Sequence, residues 1–206
     1  VNSKGDDFSP VIKGKKNDEL YFTSSREGVL GRSINQITGQ YFTDIFLIRK
    51  PEKDRGRKKR SSKTITPPDW DETTLSNITD GLADVVNLKN SEEGVISFNK
   101  RGNKMFFTRS IFSKNRYQGR RIYSATFRGK KFRDVTMEVI PVDTLVDVHG
   151  PSVTPDEKTM FFAANIEGGY GGSDLYVCRY DRRKKSWGEP ENLGPNINSS
   201  GNEGFP

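Results

Sequence analysis

Residues 149–206 read HGPSVTPDEKTMFFAANIEGGYGGSDLYVCRYDRRKKSWGEPENLGPNINSSGNEGFP. Short runs rich in β-branched and aromatic residues alternate here with turns rich in Gly, Asn and Asp. The stretch therefore reads as one complete four-stranded unit followed by the opening of another. Weaker copies lie upstream. Met160-Phe161-Phe162 has counterparts in Met105-Phe106-Phe107 and Leu20-Tyr21-Phe22, each preceded by a polar turn. With these tripeptides superposed, Pro206 falls on Pro151 and Pro151 on Ile96, 55 residues apart each time. An interval of that size marks propellers and solenoids.

Further along each copy, Asp174-Leu175-Tyr176-Val177 matches Arg121-Ile122-Tyr123-Ser124 and Asp44-Ile45-Phe46-Leu47, alternating patterns suited to half-buried third strands. A fourth element is marked by Trp187, with Trp70 in the equivalent place in the first copy and Phe132 in the second. The expected strands lie near 7–12, 18–24, 43–49, 94–98, 104–110, 120–127, 149–153, 158–164, 173–180 and 185–187. A short helix or a loop is expected within 71–84, where Thr and Asp can cap but Gly81 and β-branched residues oppose a helix.

The fold class read from this pattern is all-β, a β-propeller of four-stranded blades. Blade 1 covers about 5–91 with a basic insertion at 50–63, blade 2 covers 92–147, blade 3 covers 148–202, and residues 203–206 start the next. Closed propellers hold about 4–8 blades, so these blades are expected to be part of a larger ring. An open stack would leave apolar faces and unpaired edges in water.

Several residues recur at fixed blade positions. Pro10, Pro151 and Pro206 read as blade-opening prolines at places that need no backbone donor. Asp44 and Asp174 each precede a third strand, where a carboxylate can accept backbone N–H bonds and hold a turn; a cation or phosphate cradle is the alternative reading, without the following helix that phosphate motifs use. Asn198 completes the motif of Pro10, Asp44, Trp70, Pro151, Asp174 and Trp187. Recurrence also favours a structural role for Glu93, Asp143, Asp147, Asp156 and Glu203 over paired glycosidase carboxylates.

These motifs carry a resemblance. SVTPDEKTMFFAAN, GGYGGSDLYV and SWGEPENLGPNINSSGNEGFP resemble the WD40-like propeller repeat of the TolB type, most closely as found in bacterial envelope proteins with a carboxy-terminal OmpA-type domain. The likeness is strongest over 148–206, extends over 5–48, and fades over 92–140, where Arg121 replaces the Asp and SIFSKNRYQG replaces the Gly-rich turn. The diverged middle copy and basic insertion are similar to the member that serves the type IX secretion system. The resemblance implies a periplasmic, outer-membrane-associated scaffold whose partners are other envelope or secretion-system proteins. Peptidoglycan would be held by a separate domain outside this chain.

Composition limits the chemistry. Of 206 residues, 32% are hydrophobic and 30% charged, which suits a polar, loop-rich β domain. No apolar run approaches the roughly 20 residues that span a bilayer. There is one Cys and one His, so no internal disulfide and no metal cluster can form from them, and Cys178 and His149 do not stand at the spacing of a catalytic Cys–His pair. GxSxG, HExxH and GxxxxGK[ST] motifs are absent from the sequence. No catalytic residue, metal or other cofactor is expected, and the leading reading is a non-catalytic interaction module with exposed aromatics such as Phe112 or Tyr170 as anchors. The alternative is the propeller of a serine peptidase or of a glycan-active hydrolase.

The net charge is +7. The run Lys50–Lys63 holds eight cations against two acids and reads first as a solvated loop. Second, Arg55, Arg57, Lys58, Lys59 and Arg60 are candidate contacts for an acidic protein or an anionic envelope polymer. Nucleic acid is not expected as a partner, because the run lacks stacking aromatics.

Overall fold

The computed structural model describes residues 2–13, 18–31, 33–51, 70–114 and 116–206. The cations Arg55, Arg57, Lys58, Lys59 and Arg60 lie outside the described residues. Among those described, thirteen strands form three antiparallel sheets in chain order. The first holds β1 (Asp7–Lys13), β2 (Glu19–Ser24), β3 (Asp44–Arg49) and β4 (Asp71–Ser76). The second holds β5 (Ser91–Phe98), β6 (Lys104–Ser113), β7 (Arg116–Arg128) and β8 (Lys131–Met137). The third holds β9 (Val148–Val153), β10 (Thr159–Ala164), β11 (Asp174–Asp181) and β12 (Ser186–Trp187), with β13 (Glu191–Asn192) also on β11.

The helix-or-loop expectation for 71–84 is corrected in its first part alone. Its first part is the edge strand β4, and only Thr79–Gly81 form a 3-10 turn. The fourth element marked by Phe132 is β8, and β13 adds a pairing that the sequence pattern does not mark; DETTLS and KFRDVTM are largely polar, and pairing with the third strand, not apolar alternation, makes them strands.

The aromatic tripeptides order the sheets, because successive side chains on a strand point to opposite faces. In β6, Met105 and Phe107 pack with Tyr21, Ile45 and Leu47 of the first sheet, while Phe106 between them packs with Met160 and Phe162 of the third. In β2, Tyr21 faces the second sheet and Phe22 the opposite side, where it clusters with Phe46, Ile48 and Trp70. One stacked pair recurs at nearly the same separation in each sheet: Phe22–Phe46 at 5.9 Å, Phe107–Tyr123 at 6.0 Å and Phe162–Tyr176 at 6.0 Å. Trp70, Phe132 and Trp187 lie at the start of the fourth strand, on the same face of their sheets.

That face is not left bare in the first sheet. Arg26 lies 4.8 Å from the Phe22 ring and 5.2 Å from the Phe46 ring, and bonds Asp7 at 2.6 Å. Arg109 does the same in the second sheet, over Phe107 and Tyr123, paired with Glu93 at 2.8 Å. Between the first two sheets, the Lys13 ammonium sits 4.1 Å from Phe127 and 5.2 Å from Tyr21, with Glu19 at 3.3 Å.

The first strands share a bulge. Ser9, Val95, Gly150 and Phe205 all have positive φ (53°, 43°, 65° and 57°), each directly before Pro10, Ile96, Pro151 or Pro206, and in β1, β5 and β9 the pairing register shifts there. Proline has no donor to satisfy at this point. Ile96 does have one, and its N–H donates to Ser9 Oγ of the first sheet at 3.1 Å.

A clasp ties each third strand to the segment leading into the next sheet. Asn198 accepts from Leu175 N at 2.8 Å and donates to Leu175 O at 3.0 Å, while Asn192 donates to Asp174 at 2.8 Å. Asn87 brackets Ile45 at 2.9 Å in both directions, and Asn77 donates to Asp44 at 2.6 Å. In the second sheet Arg121 stands where the Asp would be and works as a donor instead, to the carbonyls of Arg120, Thr144 and Val146. Beyond each clasp, Glu93 N donates to Thr43 O at 2.9 Å and Glu203 N to Ser173 O at 2.7 Å, so residues 203–206 sit against the third sheet as β5 sits against the first.

Asn198→Ala leaves the part-buried Leu175 amide without its side-chain acceptor and the Leu175 carbonyl with the Leu193 N–H as its remaining donor. It is expected to lower unfolding stability by about 2–3 kcal/mol, measured by urea denaturation, with Asn198→Asp recovering less than half because Asp lacks the donor.

Candidate functional site

The second sheet departs from its neighbours in one place. β6 and β7 run to 10 and 13 residues, against 6 and 8 for β10 and β11, and their pairing continues to Ser113–Arg116 past a register shift at Ile111/Phe112. This extended hairpin is the SIFSKNRYQG segment that replaces a Gly-rich turn. Lys114 at its tip has φ 48°, the left-handed conformation of a tight turn.

A second small hairpin faces it. Ser33–Phe42 is closed by an Ile34–Tyr41 bridge and by the Asn35 side chain, which accepts from Ile37 N at 2.9 Å and Thr38 N at 3.3 Å. Asn35 Nδ2 also donates to Glu92 Oε1 at 2.8 Å, fixing this hairpin to β5. Phe42 and Phe112 stack across the gap with centroids 4.6 Å apart, and Tyr117 meets Phe112 edge-on at 5.7 Å.

Between the hairpins lies a groove of about 710 Å³, lined by Ile34, Ile37, Phe42, Phe112 and Tyr117, with Asn90, Glu92, Ser110, Arg120 and Asp147 among its polar residues. It adjoins a cavity of about 330 Å³ among the first-strand bulges, bordered by Phe8, Gly94, Val95, His149, Gly150 and Phe205. Both are lined by Asn35, Glu92, Ser110 and Arg120.

The acids here are engaged by neighbours. Asp147 accepts from Arg120 N at 3.0 Å and Arg120 Nε at 3.3 Å, and from the Tyr117 hydroxyl. Burial works against its ionisation, but Tyr117 and Arg120 hold it below the usual carboxylate range. The buried Glu93 is pushed up to about 7 by loss of water, against the pull of Arg109 and hydrogen bonds from Ser91 and Leu88 N. His149 is pushed down to about 4 by burial, which leaves a neutral imidazole with Ser173 Oγ 3.4 Å from Nε2. Among the described residues, no group of three or more His, Cys, Asp or Glu is placed to hold a metal ion.

The sequence-derived residues separate into two sets. Pro10 and Pro151 lie in first-strand bulges; Asp44, Asp174 and Asn198 lie in clasps; Trp70 and Trp187 pack between or outside the sheets. None of these seven lines the groove. Asp174 accepts from Tyr170 N at 2.7 Å and Gly171 N at 3.2 Å, the turn-holding role expected of it. Of the two expected aromatic anchors, Phe112 lines the groove, whereas Tyr170 is exposed in the turn before β11. The opposing wall of Ile34, Ile37 and Phe42 was not singled out from sequence; the signal lay in the polar turn Asn35–Gly39 set between apolar residues.

No protein-family model matches the chain, and no curated protein matches it in sequence. Among solved structures it is similar to an alpha-L-arabinofuranosidase from Lactobacillus brevis, at 11% identity and a TM-score of 0.43, over 90% of this chain and 54% of that one. The chain thus spans about half the length of the structure it matches.

Burial raises Asp44 to about 6 despite hydrogen bonds from Leu30 N and Asn77. The folded chain therefore holds this proton more tightly than the unfolded chain, and the stability linked to it falls as pH rises from about 4 to about 6. His149 contributes the opposite slope between about 4 and 6.5, and Glu93, raised to about 7 by burial and in part by the Asp44 charge, contributes the same slope as Asp44, so the difference between wild type and Asp44→Asn reports this carboxyl together with its coupling to Glu93. Urea denaturation at stepped pH is expected to show that difference growing by about 2–3 kcal/mol across the window.

Proposed function

We propose that the chain is part of a β-propeller that works as a non-catalytic interaction module. In this reading its parent is a periplasmic, outer-membrane-associated envelope protein, a scaffold component of the type IX secretion system that holds peptidoglycan through another domain. The ring architecture is supported by the two-faced packing of successive sheets, by three equivalent first-strand bulges with the same positive φ repeated at Phe205, and by the Phe205 ring, which lies 6.1 Å from Phe8 of the first sheet. It is supported too by Glu203, which stands where Glu93 meets Arg109; its buried Oε2 has no hydrogen-bond partner among the described residues. A further sheet would supply one.

The observation that carries recognition over catalysis is the engagement of the acids. Asp147 is held by Arg120 and Tyr117 and Glu92 by Asn35, which builds walls for a groove that exposes Ile34, Ile37 and Tyr117 beside Gln36, Asn90 and Lys114, and Glu93 in the adjoining cavity is held by Arg109. Surfaces of that kind serve association.

Two measurements test the proposal. Incubated with aryl glycosides, oligosaccharides and peptide amides, the chain is expected to release no product above a blank. A pull-down from envelope extract with the intact parent protein is expected to retain defined envelope proteins, with less retained in high salt. Turnover that disappears in Glu92→Gln or Asp147→Asn would replace this reading with a hydrolase.

A further inference from the structure

The groove between the two hairpins has a chemistry of its own. Ile37 is 95% exposed, Ile34 49% and Tyr117 49%, and all three line the groove. Isolated apolar side chains on a surface are ordinary, but a contiguous set around a concavity marks a place where an apolar group docks. Phe42 and Phe112 turn one face each on the other, so the open wall is branched aliphatic and ring edge, a surface that suits a hydrophobic side chain better than the flat face of a sugar. Among the polar lining residues, the exposed Asn90 offers its amide to a peptide backbone.

Charge decides the flanks. Asp147 is paired with Arg120 and bonded by Tyr117, whereas the neutral Asn35 amide bonds Glu92 without offsetting its charge, so one carboxylate on the β5 side of the groove stands against the cations of the hairpin tip. Lys114 and Arg116 at the tip of the long hairpin are exposed and have no ion-pair partner among the described residues. The chain as a whole carries +7. An occupant with negative charge beside its apolar group gains at this rim, and one with positive charge loses.

We propose that this groove takes an extended peptide segment bearing an aromatic or branched aliphatic side chain flanked by acidic residues, an inference that rests on the recognition role proposed above. The apolar side chain enters between Ile34, Ile37 and the Phe112–Tyr117 pair, and the flanking carboxylates meet Lys114 and Arg116. Preformed walls, pinned by Asn35 to Glu92 and by Tyr117 to Asp147, keep the ordering cost on the peptide side.

Fluorescence anisotropy on the full chain tests this with a labelled octapeptide that alternates glutamate with phenylalanine, and with its counterpart carrying lysine for every glutamate. The acidic peptide is expected to bind about tenfold tighter than the basic one at low salt. Ile37→Asp is expected to weaken it about tenfold and Lys114→Glu about fivefold. Both positions are exposed, and unchanged melting temperatures establish that the fold is kept. Equal binding of the two peptides, unchanged affinity in both variants, or binding of soluble peptidoglycan fragments in place of the peptides would overturn the assignment. Envelope partners still retained by the Ile37→Asp parent protein would leave the recognition role standing and move it off this groove. Hydrolytic turnover would remove both.

Discussion

Everything in this chain rests on one strand per sheet having two apolar faces. On a strand the side-chain period is two, so the outer members of Leu20-Tyr21-Phe22 and Met105-Phe106-Phe107 point one way and the middle member the other. A strand of this kind cannot be satisfied by one neighbour. It has to stand between two, and the order of sheets follows from which face meets which. The second sheet meets the requirement fully, with Met105 and Phe107 against the first sheet and Phe106 against the third. The first sheet meets it by a different device on its outer side, where the Arg26 guanidinium lies over the Phe22–Phe46 stack.

Polar groups then fix what the apolar faces leave adjustable. Hydrophobic packing is non-directional, and by itself it does not set the angle at which one sheet leads into the next. The clasps do, because a buried amide that brackets one backbone residue from both sides has a single acceptable geometry. Asn87 around Ile45 and Asn198 around Leu175 are the same joint built twice. The second sheet reaches a comparable result with inverted polarity, since Arg121 offers donors to carbonyls where Asp44 and Asp174 offer acceptors to N–H groups. A substitution that looks disruptive in the sequence is thus accommodated by a different set of backbone partners.

Legibility followed regularity. The tripeptides, the third strands and the opening prolines could be read because they recur in the same order, 55 residues apart between Met105 and Met160 and 85 between Leu20 and Met105, and each tripeptide lies in the second strand of its own sheet. The clasp partners were harder: Asn77 lies 33 residues after Asp44, but Asn192 only 18 after Asp174, so no fixed offset links them. Edge strands such as β4 were missed because DETTLS owes its conformation to pairing rather than to its own pattern. The groove was least visible of all. It is built from the two stretches that abandon the repeat, the Ser33–Phe42 hairpin and the lengthened β6–β7 pair, and recognition surfaces are expected where local rules are broken on a regular scaffold.

Lys13 gives the boundary between the first two sheets an unusual property. Its ammonium is enclosed by Tyr21, Phe98, Phe127 and Phe132 and paired with Glu19, so an amine that elsewhere would be freely reactive is shielded by rings from both modules. Acylating reagents reach it more readily when those modules part. Its modification rate is therefore a built-in gauge of how often the seam between them breathes, readable by mass spectrometry without any label engineered into the chain.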